Sequence, residues 1–272
     1  MAFRPFLLGA VLAAGLTGPA AAQAPSARAR LDVREVRARL AAATPSRAPD
    51  LARTDLRGLD LSGVDFHQAD LTGATLDSAR VAGANLFNCN LTDASAVGAD
   101  LRKANMDGTV LRRADLRGAN LAGASLFATI IEAADLSGAD LSGARIIGYL
   151  HKAKLVNARL AGANIGADPG NQSMGVMRAT FVSANLTGAD LSDANLYKAD
   201  FSYATLSGAK LVRADLRNAD LVQTDFTRAD LTGAKLAKAD IAGADFTGAT
   251  GVDRIVGLDE ARNREKAIFD AH

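Results

Sequence analysis

Three histidines, His67, His151 and His272, and one cysteine, Cys89, are the side chains of this 272-residue chain best suited to metal binding or thiol chemistry. A metal centre needs such residues at ligand spacing, and these are scattered. Cys89 falls where its neighbours in the pattern are alanines, so it reads as a small core residue. Asp200, Asp220 and Asp240 recur every twenty residues. A column of carboxylates could hold a hard cation such as calcium. However, Lys198, Arg213, Arg217 and Lys238 lie among the neighbouring outward positions, and hydrogen bonds to the adjoining turns are a sufficient use for Asp and Asn. Arg102, Lys103, Arg112, Arg113 and Arg117 would suit an anionic partner such as a surface polysaccharide. Asp100, Asp107 and Asp115 are interspersed and favour a solvated mixed-charge surface. No nucleophile elbow, phosphate-binding loop or dinucleotide fingerprint is present. The expectation is a protein without enzymatic activity, cofactor or metal.

What positions these side chains is a repeat of five. From Leu51 to Phe246 an apolar centre recurs every five residues with a small residue two places before it, as in Ala114-Asp-Leu-Arg-Gly-Ala-Asn-Leu-Ala-Gly123. On a helix, residues five apart lie ~140° apart and leave no buried stripe. On a strand, an odd spacing sends alternate leucines into water. The centres are all buried if the chain turns a corner with each unit and coils about an axis, which is a solenoid. Leu and Ala then interdigitate in a narrow core, where a bulkier residue at an Ala position would overpack. Gly63, Gly73, Gly118 and their equivalents suit turn geometry that a Cβ would hinder.

The unit A-(D/N)-L-x-G resembles the pentapeptide-repeat family over about three quarters of the chain. The resemblance implies an all-β solenoid: a right-handed quadrilateral parallel β-helix with four units per coil. Phe181 and Phe201, and Phe226 and Phe246, are each twenty apart and would stack in such a coil. About ten coils at ~4.8 Å give a rod ~45–50 Å long.

Residues 1–22 read as a signal peptide, with a basic start at Met1 to Pro5, an apolar run from Phe6 to Leu16, and a cleavage site after Ala22. That predicts a periplasmic or secreted protein with no transmembrane segment in the mature chain. Residues 23–48 form an N-terminal capping helix, Leu31 to Ala43, and a linker containing Pro45. Residues 49–250 are the solenoid, and residues 251–272 hold a C-terminal capping helix, Leu258 to Ala271, with Asp259 as N-cap. Such caps cover the open ends of a solenoid. The family resemblance also allows the C-terminal helix to form a homodimer contact. The metre breaks between 147 and 175: Leu150 arrives one residue early, Gly166 to Gly175 intervenes, and Val176 and Phe181 resume the frame.

The remaining departures are apolar residues at outward positions. In a four-sided coil Phe87, Val110, Phe127, Ile130, Ile147 and Tyr149 cluster near the break and form the candidate partner contact. A competing reading has the 166–175 loop or the N-terminal helix cover them. Without Arg4 the mature chain carries 30 basic and 30 acidic residues, from the 31 and 30 of the whole. Zero net charge and export disfavour nucleic-acid binding and the DNA-mimicking protection of a type II topoisomerase that the resemblance also allows. The expected function is an exported structural or binding scaffold whose partner is a protein or another envelope macromolecule.

Overall fold

Each five-residue unit forms one side and one corner of a coil. A computed structural model describes residues 29–44, 47–167 and 177–270. Residues 1–22, expected to be a signal peptide, lie outside the described residues, as do Val176 and most of the 166–175 segment. Leu71 N donates to Asn90 O at 2.8 Å, and Asn90 N donates to Ala69 O at 3.0 Å. This parallel pairing recurs between residues twenty apart along four ladders, named here by Asp50, Asp55, Asp60 and Asp65. The coil is therefore four-sided. Most sides contribute one ladder residue between corners, so among the described residues continuous strands form only at β1 (Ser125–Ile130) and β2 (Arg145–Tyr149).

Corners are tight turns. Ala74 N donates to Leu71 O at 2.9 Å, and Gly73 between them has φ of +63°, the left-handed backbone a type II turn places at its third residue. Glycine is not obligatory at this position. Lys103, Arg113 and Ala128 adopt φ of 57°, 55° and 55° at equivalent corners. That conformation costs about 1–2 kcal/mol for a residue with a Cβ, and the flanking ladder bonds hold it.

Asp and Asn before the centres fasten the same turns. Thr72 N donates to Asp70 Oδ1 at 2.9 Å and Ser137 N to Asp135 Oδ1 at 3.0 Å. Where Arg follows the centre, the carboxylate is gripped twice. Arg102 donates to Asp100 through Nε at 2.8 Å and Nη2 at 2.7 Å, and Arg117–Asp115 and Arg217–Asp215 repeat the geometry. These guanidinium hydrogen bonds hold the three carboxyls below the usual carboxylate range, against the opposing effect of partial burial.

Inside, the leucine centres and their alanine partners are almost completely buried. Phe181 stacks on Phe201 at 4.6 Å between ring centres, and Phe226 on Phe246 at 5.1 Å, as the twenty-residue spacing predicts. Cys89 is buried, and its thiol donates to Phe66 O at 3.3 Å. Burial pushes the thiol up to about 12, which suits a packing role rather than a nucleophile. Thr109, Thr129 and Thr224 replace Ala only because their hydroxyls donate to Leu86 O, Met106 O and Phe201 O.

At the N-terminal end the expected helix forms as α1 (Val33–Ala41). Glu35 N donates to Asp32 Oδ1 at 2.8 Å and Asp32 N to Glu35 Oε2 at 2.7 Å, a capping box. Val36 is fully buried, with Val33 and Leu40 packed against the core beside it.

The C-terminal helix does not form. Residues 251–270 continue the solenoid instead, through bridges Lys235↔Val256, Asp240↔Arg262 and Asp245↔Ile268. Thr250, Val256, Arg262 and Ile268 advance six residues per side rather than five, with short 3-10 turns at Val252–Arg254 and Arg264–Lys266. The cause is tertiary: the preceding coil offers an unpaired ladder edge and the face of Phe246, onto which Phe269 stacks at 5.0 Å. Those bonds and that burial outweigh the modest helix propensity of the segment. A dimer contact through a C-terminal helix has no helix to carry it.

The break of metre resolves into two compensating changes. Ile130 pairs with Tyr149, a step of nineteen residues, and Tyr149 pairs with Thr180, a step of thirty-one. The missing residue is at one corner: Phe127 pairs with Ile147 and Thr129 with Gly148, leaving Ala128 without a partner. The extra residues lie on one side, between Asn164, which pairs with Asn195, and Thr180. The frame is regained at Thr180 and Phe181, as expected for Phe181. At the shortened corner a Cβ on Gly148 would lie 2.2 Å from Thr129 O, whereas one on Gly138 would meet nothing within 4 Å.

Gly148→Ala is expected to cost about 1–3 kcal/mol, the range of overpacking. Gly138→Ala should cost less, since Ala133 holds the same left-handed backbone. Equal denaturation midpoints would show that the shortened corner is not close-packed. The Asp–Arg grips set the acid response. Because Asp100, Asp115 and Asp215 have depressed folded-state values, their stabilisation is present above the unfolded carboxylate range of about 4 and is lost as pH falls below it. Melting temperature should stay level from about pH 8 to 5 and fall below about 4, and a melting temperature that rises on acidification would contradict the grips.

Candidate functional site

The corner joining the Asp65 ladder to the Asp50 ladder differs from the rest. At the corner joining the Asp60 and Asp65 ladders the outward pairs are mostly small, such as Ser62-Gly63, Ala122-Gly123 and Ser142-Gly143, and the other two corners mix small with charged pairs such as Arg112-Arg113 and Arg117-Gly118. At the Asp65–Asp50 corner they are His67-Gln68, Phe87-Asn88, Asp107-Gly108, Phe127-Ala128, Ile147-Gly148, Tyr197-Lys198, Arg217-Asn218 and Ala237-Lys238.

Five of the six expected contact residues meet. Val110, Ile130 and Tyr149 are successive members of the Asp50 ladder, and Phe127 and Ile147 are direct partners across β1 and β2. Phe87 is set apart. Asp107 lies between it and Phe127, accepting from Phe127 N at 2.9 Å and from the Ser125 hydroxyl. Phe87 stacks instead on His67 at 5.3 Å. Ile147 is 2% exposed and Tyr149 53%, so the cluster has a covered centre and an open rim. Arg145 lays its guanidinium over the Phe127 ring at 4.4 Å, a cation–π contact that leaves this aromatic less apolar than its neighbours. His151 meets Tyr149 edge-on at 6.3 Å. The N-terminal helix does not cover the cluster, because α1 lies at the end of the rod with Arg37 and Leu40 beside Val64.

The basic group around residues 102–117 is not a patch. Arg102, Arg113 and Arg117 follow three different ladders and project from three different corners. Asp100, Asp93, Asp115 and Glu132 engage Arg102, Arg113, Arg117 and Arg112, respectively. Of the interspersed acids Asp100 and Asp115 pair with this group, whereas Asp107 accepts from Ser125 and Phe127, and Lys103 forms no ion pair among the described residues. His67 and His151 serve in separate ring contacts, and His272 lies outside the described residues.

Farther along the same corner is a groove of 490 Å³ lined by Arg178, Lys198, Asn218, Lys238 and Arg262. The Asp200, Asp220 and Asp240 column stands beside it. Arg178 donates to Asp200 at 3.2 Å and to Asp220, and Arg262 approaches Asp220 at 3.5 Å and Asp240 at 4.0 Å. The carboxylates engage arginines, which is an alternative to the cation the bare sequence allowed. Among the described residues no group of three His, Cys, Asp or Glu side chains is placed to hold a metal ion. Sequence reasoning missed the groove because Arg178 and Arg262 sit outside the regular repeat, and nothing in their spacing places them on one corner.

The model of the pentapeptide repeats family matches in eight copies, over residues 50–87, 84–123, 119–148, 177–211 and 209–248. The gap in that match coincides with the break of metre. Among solved structures the chain is similar to HetL, a pentapeptide repeat protein involved in heterocyst differentiation regulation in the cyanobacterium Nostoc. The identity is 29% and the TM-score 0.50, covering 88% of this chain and 99% of HetL. It is also similar to QnrB1, a plasmid-mediated fluoroquinolone resistance protein, at 19% identity and TM-score 0.40, over 78% of this chain and 93% of that one. Comparison with curated proteins finds no match. Repeat, ladders and corner turns, taken with the extent of the match, show that this chain belongs to the pentapeptide repeat family.

Proposed function

We propose that this protein is a non-enzymatic, exported scaffold. Its rigid rod, about ten right-handed coils, presents the corner cluster of Val110, Phe127, Ile130, Ile147 and Tyr149 to a protein or another envelope macromolecule. The observation that carries this reading is the cluster itself. Apolar side chains on successive coils gather at one corner, around a buried Ile147 and an exposed Tyr149, whereas the apolar residues of the other corners, such as Val97, Val182, Val212 and Val222, are scattered. Contiguous apolar surface of this kind is characteristic of partner sites, and a tube of stacked coils holds it rigid, which limits the ordering cost of binding.

Export is supported by the basic, apolar and small-residue succession of residues 1–22, with the mature chain beginning at Gln23. The DNA-mimic alternative requires a strongly acidic face. It is disfavoured by the balanced charge of the mature chain and by the Asp–Arg pairs distributed around the coils.

Fractionation followed by N-terminal sequencing tests the placement, with a periplasmic or secreted chain starting at Gln23 as the expected result. Crosslinking in intact cells tests the contact: Phe127→Asp should remove the crosslinked partner while leaving the melting temperature nearly unchanged. Retention of the same partner by the variant would place the contact elsewhere. Cytoplasmic retention together with inhibition of supercoiling by a type II topoisomerase would favour the mimic.

A further inference from the structure

Two segments that depart from the five-residue repeat each deliver an arginine to the same groove. Arg178 comes from the side that carries the extra residues, and Arg262 from the widened last coil. They are 84 residues apart in sequence. Between them Lys198, Asn218 and Lys238 are stacked on successive coils, so the two lysines stand about 10 Å apart along the axis with Asn218 midway.

Charge is distributed unevenly across this site. Asp220 is shared, accepting from Arg178 and lying 3.5 Å from Arg262, while Asp200 takes the second nitrogen of Arg178, and Arg262 lies 4.0 Å from Asp240 and donates through Nε to Lys238 O at 3.2 Å. The acids orient Arg178, and the Lys238 carbonyl together with Asp220 and Asp240 orients Arg262. Lys198 and Lys238 form no ion pair among the described residues, and Lys198 Nζ stands 5.3 Å over the Tyr197 ring. This contrasts with Arg102, Arg113 and Arg117, whose charges are matched by carboxylates. The groove is therefore lined by four cations and one amide, with its acids set behind the arginines.

We propose that this groove is a phosphate-binding site, taking a phosphomonoester whose phosphate sits over Asn218 between Lys198 and Lys238. A tetrahedral dianion offers acceptors in several directions at once. It can meet two ammonium groups as point charges and a guanidinium edge as a fork. A single carboxylate offers one charge in one plane and would leave one of the lysines unmatched. The volume of 490 Å³ exceeds a bare phosphate and leaves room for the group that bears it. The flanking acids confine the positive field to this spot, which favours a discrete phosphate over a long polyanion. This site is separate from the apolar cluster and stands or falls independently of it.

Calorimetric titration of the full-length mature protein with glycerol 3-phosphate, and flotation with phosphatidic acid in phosphatidylcholine vesicles, test the proposal. Binding should weaken as salt rises. Lys198→Gln and Lys238→Gln should each reduce affinity about tenfold, equivalent to about 1.4 kcal/mol. The double variant should show no detectable binding. Lys103→Gln, at a different corner, should bind like the parent, with melting temperatures confirming that every variant folds. Binding of the soluble ester alone identifies a free phosphomonoester as the ligand, and binding to vesicles alone identifies a lipid headgroup; both support the site. Absence of binding in both arms, or equal binding by the parent and the double lysine variant, overturns it.

Discussion

Everything in this molecule depends on the backbone ladder that joins each residue to the one a coil later. A coiled chain with a dry interior must satisfy its peptide groups without water, and the only available partners are the coils below and above. Leu71 N to Asn90 O and Asn90 N to Ala69 O are one link of that chain. Once the ladder is set, the large centre and the small residue before it are forced inward on every side. The turn between them is forced into a left-handed residue. The side chain before each centre is left at the surface, where Asp and Asn fasten the next turn.

The same constraint governs how the fold tolerates irregularity. A coil may gain or lose residues only if its four ladder members keep their places. The nineteen-residue step loses its residue at a corner, where Gly148 passes against Thr129 O, and the thirty-one-residue step places its excess on one side. The last coil widens three successive sides by one residue each and still finds its bridges. Departures from the period are therefore pushed outward, onto corners and sides, where they change the surface without disturbing the core. Both candidate sites arise in this way. The apolar cluster adjoins the shortened corner, and the cationic groove is closed by an arginine from each irregular segment.

Charge follows a related logic. Many arginines sit two residues or one coil from an aspartate, because the repeat supplies an acid before many of its centres. The local pairs cancel and leave little long-range field. Beside Lys198 and Lys238 the neighbouring acids are engaged by arginines, and no ion pair forms to either lysine among the described residues.

Most of the architecture was legible in the residues themselves. A five-residue metre excludes helix and flat strand, the spacing of Phe181 and Phe201 and of Phe226 and Phe246 points to twenty residues per coil, and a helix is expected over Leu31 to Ala43, where α1 forms. Five of the six positions singled out by the metre do lie together, with Ile147 buried among them. These features are legible because they depend on periods of five and twenty, which are visible along the chain. The tertiary structure alone decided the rest. It turned Leu258–Phe269 from a plausible helix into a last coil, because an open ladder edge and the Phe246 ring were there to receive it. It separated Phe87 from its expected neighbours by placing Asp107 between them, and it dispersed the arginines of residues 102–117 to different corners. It also brought Arg178 and Arg262 to one groove, since contacts between irregular segments depend on where each rejoins the ladder and leave no period in the sequence.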